Sequence, residues 1–200
     1  SADHASAGTA AWTNNGSLGG SFAEFGNPVL STLGPNSNNA VTFDGVNDYY
    51  RGPAAPAGLT GAGPAGTRSI EVWVYNPSIT GEETLVSLAK RGGPAGSNVA
   101  FNYGSNPSFG AIGHWAAPDI GWNGAPAANQ WHHLVYTYDG NTTRVYADGL
   151  LKNTENIGAI DAHDNVDMLI AAQMEANGTS VTGGLRGSLS LARVRVHDGV

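Results

Sequence analysis

The spacing of glycine and proline constrains this 200-residue chain more than any other feature of its sequence. The chain contains 29 glycines and 10 prolines, and most stretches between them are ten residues long or shorter. Stretches of that length suit β-strands, whereas the helices of globular proteins need longer uninterrupted segments. The distribution therefore predicts an all-β chain in which many short strands are joined by turns.

Alternating side chains and turn signals locate the clearest strands. Residues 70–75 read IEVWVY, in which β-branched side chains alternate with acidic and aromatic ones, as in a strand with two different faces. Residues 131–138 are also rich in β-branched and aromatic side chains. Asp139-Gly140 and Asp148-Gly149 follow at intervals that suit tight turns, because glycine accepts a positive φ without a steric penalty. Two successive hairpins are predicted over 131–156.

The rest of the sequence also predicts mostly β-strands. We expect further strands at 39–44, 84–89, 98–103, 108–115, 119–123 and 188–197. Residues 159–177 lack glycine and proline, so this segment could form a helix that begins at Asp164, although a buried strand over DMLIAAQ is preferred. Many short strands with turns between them indicate a β-sandwich or barrel. We expect residues 1–200 to form one domain, excised from a larger protein.

Composition excludes several classes of protein. The net charge is −7 and no Lys/Arg cluster is present, so the chain lacks the electrostatic signature of a protein that binds nucleic acid or anionic membranes. No run of 18 apolar residues occurs, which argues against membrane insertion. Five Trp, seven Tyr and five Phe supply core material that disordered chains lack. The absence of cysteine excludes disulfides, thiolate metal sites and cysteine nucleophiles.

Four motifs follow one another in a recognisable order. They are AVTFDGVNDYY at 40–50, SIEVWVYNP at 69–77, QWHHLVYTYDGNTTRVYADGLLKN at 130–153 and GSLSLARVRVHDG at 187–199. In this order they resemble the bacterial laminin G-like modules of the concanavalin A-like lectin/glucanase superfamily. The resemblance implies a jelly-roll sandwich of two antiparallel sheets in an extracellular or cell-surface protein. It also implies binding of glycans or proteins, often with a structural calcium ion, and a packing role in the core for Trp73 and Trp131.

The strand at 70–75 does not carry the catalytic pattern of the glucanases in this superfamily. Retaining hydrolysis needs two carboxylates on one face of a site, whereas the same-face neighbours of Glu71 are Trp73 and Tyr75. No Gly-x-Ser-x-Gly elbow is present either. We therefore expect no enzyme. Glu71 could pair with an arginine such as Arg144 on a solvated face, or lie in a groove and accept hydrogen bonds from sugar hydroxyls.

Residues 98–124 form the segment that most suggests a ligand site. A sugar site needs an aromatic platform beside short polar groups, because sugars present apolar faces and hydroxyl rims. Trp115 and Trp122 are candidate platforms, with packing in the core as the alternative for each. The candidate hydrogen-bonding residues of this segment are Asn102, His114, Asp119 and Asn123. His132 and His133 are interpreted as a strand pair that points to opposite faces, not as metal ligands.

Calcium would need six to eight oxygen ligands. Asp44 and Asp48 in the FDGVND turn are the candidate ligands, and Asp161, Asp164, Asp167 and Glu175 are further donors. Ala192 stands where the related modules often carry an aspartate, which weakens the case for their usual calcium site. Aspartate in turns also serves to accept backbone hydrogen bonds.

Together these features predict a non-catalytic carbohydrate-binding module of a larger secreted or surface protein. Its expected partners are a polysaccharide or glycan and the other domains of the parent chain. Two alternatives remain open at this point. One is an adhesion module that binds protein, and the other is a polysaccharide-degrading glycosidase or lyase that uses Glu71 and His114 as acid and base.

Overall fold

The computed structural model of the protein describes residues 2–3, 11–116 and 118–200, with the backbone alone at residues 2, 3 and 64. The described strands form two antiparallel sheets. Sheet I runs in the order β13 (Leu150–Asn156), β12 (Thr142–Ala147), β11 (Trp131–Tyr138), β7 (Arg68–Tyr75), β15 (Ser190–Asp198), β5 (Ala40–Thr42) and β4 (Val29–Ser31), and β1 (Ala2–Asp3) also pairs with β15. Sheet II runs in the order β10 (Ile112–Gly113), β9 (Ala100–Asn102), β8 (Thr84–Ser87), β14 (Asp167–Ile170), β6 (Tyr49–Ala54), β3 (Ser21–Phe25) and β2 (Ala11–Thr13).

Helical structure is limited to the connections. It comprises α1 (Ala57–Thr60) and the 3₁₀ turns Pro35–Ser37 and Gly63–Gly66. Within the described parts of the chain, no helix has the length and apolar character that a membrane span requires. The architecture confirms the expected all-β jelly-roll sandwich.

The predicted hairpins over 131–156 are confirmed. Strand β11 pairs with β12 over Leu134–Tyr138, and β12 pairs with β13 from Thr142 onward. The segment at 159–177 contributes the strand β14, so the strand interpretation was correct, although only over Asp167–Ile170. His132 and His133 do point to opposite sides of β11, since the first is 5 % exposed and the second lies on the outer face.

The expected strands at 108–115 and 119–123 are mostly loops. Only Ile112–Gly113 forms a strand there, with one isolated bridge between Ile112 and Ile120. Close backbone contacts explain the difference: a Cβ at Gly121 would lie 2.1 Å from the carbonyl oxygen of Pro107, and one at Gly110 would lie 2.5 Å from that of Asn106. These glycines fold the chain back on itself where an extended strand would separate the same atoms.

The core lies between the two sheets. From sheet I it takes alternate side chains such as Val72, Leu134 and Tyr136, which are at most 1 % exposed. The expectation that Trp73 and Trp131 pack in this core is wrong. Both side chains alternate along their strands with the buried ones, so they point to the outer face of sheet I, where they are partly exposed.

A series of hydrogen-bonded polar side chains, which we call the polar chain, crosses the core. Arg68, which is fully buried, donates from Nε to Tyr136 Oη over 3.2 Å, and its Nη1 donates to the carbonyl oxygens of Leu59 and Gly66. The guanidinium carbon also lies 4.7 Å from the centre of the Tyr138 ring. The arginine thereby satisfies the backbone of the α1 region from inside the sandwich, where water does not reach.

Candidate functional site

A group of buried polar side chains lies on the outer face of sheet II. Val99 and Phe101 point into the core, so Asn98, Ala100 and Asn102 point away from it. The two asparagines are nevertheless only 2 % and 0 % exposed. Since these side chains point outward and are nevertheless buried, other parts of the chain cover this part of sheet II, and we call the covered region the recess.

Gln173 and Glu82 connect these side chains into one network. Gln173 Nε2 donates to Glu82 Oε1 over 2.8 Å and to Thr84 Oγ1 over 2.9 Å. Asn102 Nδ2 donates to the same Glu82 oxygen over 3.3 Å, and Asn98 Nδ2 donates to Gln173 Oε1 over 3.4 Å. We call Glu82, Thr84, Asn98, Asn102 and Gln173 the polar cluster.

Two acceptors of the polar cluster have no donor. Neither Asn98 Oδ1 nor Asn102 Oδ1 has a hydrogen-bond partner among the described residues, although both atoms are buried. Leaving a buried acceptor unsatisfied costs about 1–3 kcal/mol, so native proteins rarely keep such atoms without a purpose. The structure thus holds two buried acceptors without a donor on the same side of sheet II.

Trp115 stands beside the polar cluster on a strained loop. Trp115 and Ala116 adopt φ values of 74° and 62°, in the left-handed region that non-glycine residues rarely occupy. Trp115 Nε1 donates to the carbonyl oxygen of Gly93 over 3.2 Å, and the Arg91 guanidinium lies 5.1 Å from the centre of the indole. Arg91 also donates to Gln173 Oε1 over 3.3 Å, which ties the tryptophan to the cluster. Strain of this kind concentrates at functional sites.

Asp119 joins the two ends of the loop that contains Trp115. Its Oδ1 accepts a hydrogen bond from the backbone N–H of His114 over 2.6 Å. Burial raises the pKa of Asp119 and the nearby charge of Glu82 raises it further, while the N–H groups of His114 and Trp115 oppose the shift. Asn102, Trp115 and Asp119 are the sequence-predicted site residues that the structure brings together around this recess.

His114 supports the loop from inside the core and cannot touch a ligand, contrary to expectation. The side chain is fully buried, with Nδ1 2.8 Å from the carbonyl oxygen of Pro118 and Nε2 3.1 Å from Tyr136 Oη. Because a carbonyl only accepts, Nδ1 carries the proton and Nε2 accepts from the tyrosine. Burial lowers the pKa of His114 to about 3, so the ring is neutral in the native protein.

Trp122 is also a correction to the predicted site, whereas the assignment of Asn123 stays a prediction. Trp122 is 1 % exposed, packs 5.9 Å from Phe101 and donates from Nε1 to the carbonyl oxygen of Gly110, so its core alternative is the right one. Asn123 lies in an exposed turn with a φ of 52°. Five residues of the recess were not predicted, because each stands in a loop or on a face that no short pattern marks: Glu82, Thr84, Arg91, Asn98 and Gln173.

Glu71 lies on the other sheet, away from the recess. It accepts hydrogen bonds from Arg195 over 2.9 Å and from His133 over 3.1 Å. Burial raises the pKa of Glu71, but the hydrogen bonds from these two residues outweigh it and lower the pKa below the ordinary value. The suggested partner Arg144 pairs with Asp139 instead, over 2.7 Å. The hypothesis that Glu71 and His114 act as acid and base is wrong, because one faces outward from sheet I and the other is enclosed in the core.

The carboxylates of Asp44 and Asp48, the candidate calcium ligands, accept hydrogen bonds from the backbone around their turn. Asp44 Oδ1 accepts from the backbone N–H groups of Val46, Asn47 and Asp48, and Asp48 accepts from those of Asn27 and Asp44. Asp167, another candidate, pairs with Arg51 over 2.6 Å. In the described part of the chain, no three His, Cys, Asp or Glu side chains form a group that could hold a metal. Asp44 Oδ1 and both oxygens of Asp48 therefore serve backbone donors, and a calcium ion at this turn stays a prediction.

Comparison with known proteins identifies relatives of this fold. A family model described as concanavalin A-like lectin/glucanases superfamily matches residues 44–200. No curated protein matches the sequence significantly. Among solved structures, one similar domain is domain 4 of AbnA, a GH43 extracellular arabinanase from Geobacillus stearothermophilus, in complex with arabinotriose. Its identity to this chain is 17 % and the TM-score is 0.53. The alignment covers 87 % of this chain and 76 % of that domain's chain.

Two further solved structures are similar over 99 % of this chain. Trypanosoma rangeli sialidase in complex with sialic acid has 16 % identity and a TM-score of 0.65. The binding domain of Paraclostridial Mosquitocidal Protein 1 has 10 % identity and a TM-score of 0.60. The alignments cover 30 % of the sialidase chain and 48 % of the toxin chain, so this chain is much shorter than either. At these identities the likenesses show the fold alone.

Proposed function

Because the chain belongs to the concanavalin A-like lectin/glucanase superfamily, we propose that it is a non-catalytic carbohydrate-binding module whose site is the recess on sheet II. The pair of unpartnered amide oxygens on Asn98 and Asn102 carries this proposal. A sugar offers hydroxyl donors at several positions of one ring, which is what two neighbouring buried acceptors require.

The surroundings of the recess support the same ligand class. Trp115 provides an aromatic side chain at the rim, where one face of a sugar ring could pack. Arg91 and the Asp119 carboxylate provide charged hydrogen-bonding groups beside it. The polar cluster is pre-arranged by its own hydrogen bonds, so binding would require little ordering of side chains.

Two of the similar structures contain saccharides, namely the arabinanase domain with arabinotriose and the sialidase with sialic acid. They make glycan binding a reasonable function for this fold without specifying which glycan. We further propose that the module works in an extracellular or surface protein, where other domains of the parent chain act on or attach to the same polysaccharide.

Calorimetric titration tests the proposal with arabinotriose, arabinan and a panel of neutral plant and bacterial glycans. We expect one of them to bind, and Trp115→Ala to weaken that binding about tenfold or more, as loss of a stacking aromatic does. Phe25→Ala is the matched control, since Phe25 is a partly exposed aromatic of sheet II at β3, several strands from β9. Circular dichroism establishes that both variants are folded.

The proposal fails if no glycan binds, or if Trp115→Ala and Phe25→Ala have the same effect. Release of reducing ends or unsaturated products during incubation with the glycan that binds would show an enzyme instead. Specific capture of a protein through the same recess, abolished by Trp115→Ala, would favour the adhesion alternative.

A further inference from the structure

The sequence contains three pairs in which an asparagine precedes a glycine. They are Asn15-Gly16, Asn123-Gly124 and Asn177-Gly178, and all three lie in connections between strands. Asparagine is a chemically labile residue, because its side-chain amide can be attacked by the backbone nitrogen of the next residue. Glycine in that position has no Cβ to obstruct the approach of its own nitrogen. The sequence alone gives the three pairs equal standing, so the structure must distinguish them.

Hydrogen bonds restrain both partners of the Asn177-Gly178 pair. Asn177 Oδ1 accepts from the backbone N–H groups of Thr179 and Ser180, each over 2.9 Å, and Asn177 Nδ2 donates to Ser180 Oγ over 3.0 Å. The N–H of Gly178 donates to the carbonyl oxygen of Glu175 over 2.9 Å. The amide that would be attacked and the nitrogen that would attack it are both engaged, so several bonds must open before the two can meet.

The Asn15-Gly16 pair is restrained on one side. The N–H of Gly16 donates to Asn14 Oδ1 over 2.9 Å, and the carbonyl oxygen of Gly16 accepts from the N–H of Gly19 over 3.0 Å. The exposed side chain of Asn15 takes part in none of these bonds. The attacking nitrogen is therefore engaged here, whereas the amide is accessible.

The Asn123-Gly124 pair has neither restraint. Both residues are exposed, and across residues 11–116 and 118–200 no hydrogen bond involves the Asn123 side chain or the Gly124 N–H. Asn123 has a φ of 52°, in a region that residues with a Cβ rarely adopt, and Gly124 has a φ of 91°. No atom lies within 4 Å of the position that a Cβ on Gly124 would occupy. The peptide between the two residues is therefore free to rotate its nitrogen toward the Asn123 side chain.

We propose that Asn123 is the residue at which the folded protein modifies itself, by losing its side-chain amide. The nitrogen of Gly124 attacks Asn123 Cγ and forms a new C–N bond, while the bond from Cγ to Nδ2 breaks. Nδ2 leaves as ammonia and takes the proton that the Gly124 nitrogen loses, which closes a succinimide ring. Water then opens the ring at either carbonyl carbon and gives aspartate or isoaspartate. The balance is one water consumed and one ammonia released, with no oxidant or reductant.

The surroundings of the turn allow this change without unfolding. Trp122, which precedes it, is 1 % exposed, and the carbonyl oxygen of Gly121 accepts from Asn153 Nδ2 over 2.9 Å. The chain before the turn is thus fixed, and the extra backbone carbon of isoaspartate extends into solvent. Each event adds one negative charge to a chain of net charge −7, because a carboxyl group is ionised at neutral pH and an amide is not. The modified protein should accumulate as a folded, more acidic species.

Incubation of the native protein in mildly alkaline buffer tests the inference, followed by isoelectric focusing and by peptide mapping with mass spectrometry. We expect a new acidic species whose modification lies at Asn123. Its rate should exceed that at Asn177 about tenfold or more, with Asn15 between them, because each hydrogen bond that must open first slows the reaction a few-fold. Asn123→Gln should remove this species, since the longer side chain closes a ring much less readily. Asn15→Gln is the matched control and should leave it.

The unfolded chain provides the second control. In concentrated guanidinium chloride all three pairs lose their hydrogen bonds, so they should convert at similar rates. The inference is overturned if Asn15 or Asn177 converts in the native protein as fast as Asn123, or if the acidic species persists in Asn123→Gln. A ranking that stays the same in the unfolded chain would also overturn it, because the local sequence and not the fold would then set the rates.

Discussion

Gln173 Nε2 donates a hydrogen bond to Glu82 Oε1 over 2.8 Å and thereby joins two loops that are 91 residues apart in sequence. Glu82 lies in the turn before β8, and Gln173 follows β14, the neighbouring strand of sheet II. The buried glutamine accepts from Arg91 and Asn98 at its other end. One amide therefore connects Glu82, Thr84, Arg91 and Asn98 through hydrogen bonds.

Replacing Gln173 with leucine should destabilise the protein by about 1–3 kcal/mol, because the half-buried Glu82 and the buried Thr84 and Asn98 would lose their partner while the volume stays similar. Urea denaturation measures the change in the free energy of unfolding. Gln130→Leu is the control, since Gln130 is exposed just before β11. Equal stability of the two variants would contradict the assigned role of Gln173.

Stability should fall as the pH is lowered from about 6.5 toward 3, and His114 should cause part of that loss. The pKa of His114 is about 3 in the native protein and near 6.5 when unfolded, because burial opposes the charged form. Between these values the unfolded chain binds one more proton, so stability rises with pH by up to about 1.4 kcal/mol per unit.

His114→Gln lacks this titration, so the stability difference between the wild type and the variant should be constant above pH 7.5 and should narrow between pH 6 and pH 4.5. Urea denaturation at each pH measures it. A difference that does not change with pH would show that the ring is not held neutral.

Arg68→Ala should cost about 3 kcal/mol or more, because it leaves the buried carbonyl groups of Leu59 and Gly66 without their donor and opens space beside Tyr138. Arg144→Ala provides the comparison, since that arginine forms a partly exposed pair with Asp139 and such pairs contribute at most about 1 kcal/mol. Thermal and urea denaturation of both variants measure the two costs. Similar losses would refute the structural role given to Arg68.

Asp44→Ala should destabilise the FDGVND turn by about 1 kcal/mol, because Asp44 Oδ1 accepts three backbone N–H groups. The loss should be the same in calcium chloride and in a chelator, measured as the shift of the melting temperature. A destabilisation that appears only in calcium would instead establish a metal site, since a ligand that binds the native state and not the unfolded state raises stability by mass action.

The architecture could be predicted from local patterns, because glycine, proline and period-two alternation act over a few residues. Strand β7 and the hairpins from β11 to β13 illustrate this, as their bounds lie close to the predicted ones. Strand β6 was missed because it contains Gly52 and Pro53, which normally interrupt strands. Gly52 is there because the Phe22 ring packs against it, and a Cβ would lie 2.3 Å from that ring. Such a contact joins residues 30 positions apart, so nothing in the sequence around Gly52 indicates it.

The site was harder to predict for the same reason. Trp115 and Trp122 look alike in sequence, but the loop between them places one at the rim of the recess and the other in the core. The alternation in IEVWVY does separate two faces, yet it does not say which one is buried, and the resemblance assigned Trp73 to the wrong side. Gln173 and Glu82 become significant only once sheet II aligns them.

The polar chain from Arg68 through Tyr136 and His114 to Pro118 has a consequence for how the recess can open. Most surface loops exchange their amide hydrogens through small local fluctuations. The loop that carries His114 and Trp115 is instead linked by hydrogen bonds to Arg68, a buried arginine on the opposite sheet. The amide of His114 should therefore exchange only when the whole sandwich unfolds. A molecule bound beside Trp115 would then be held by a loop whose lifetime is that of the fold itself.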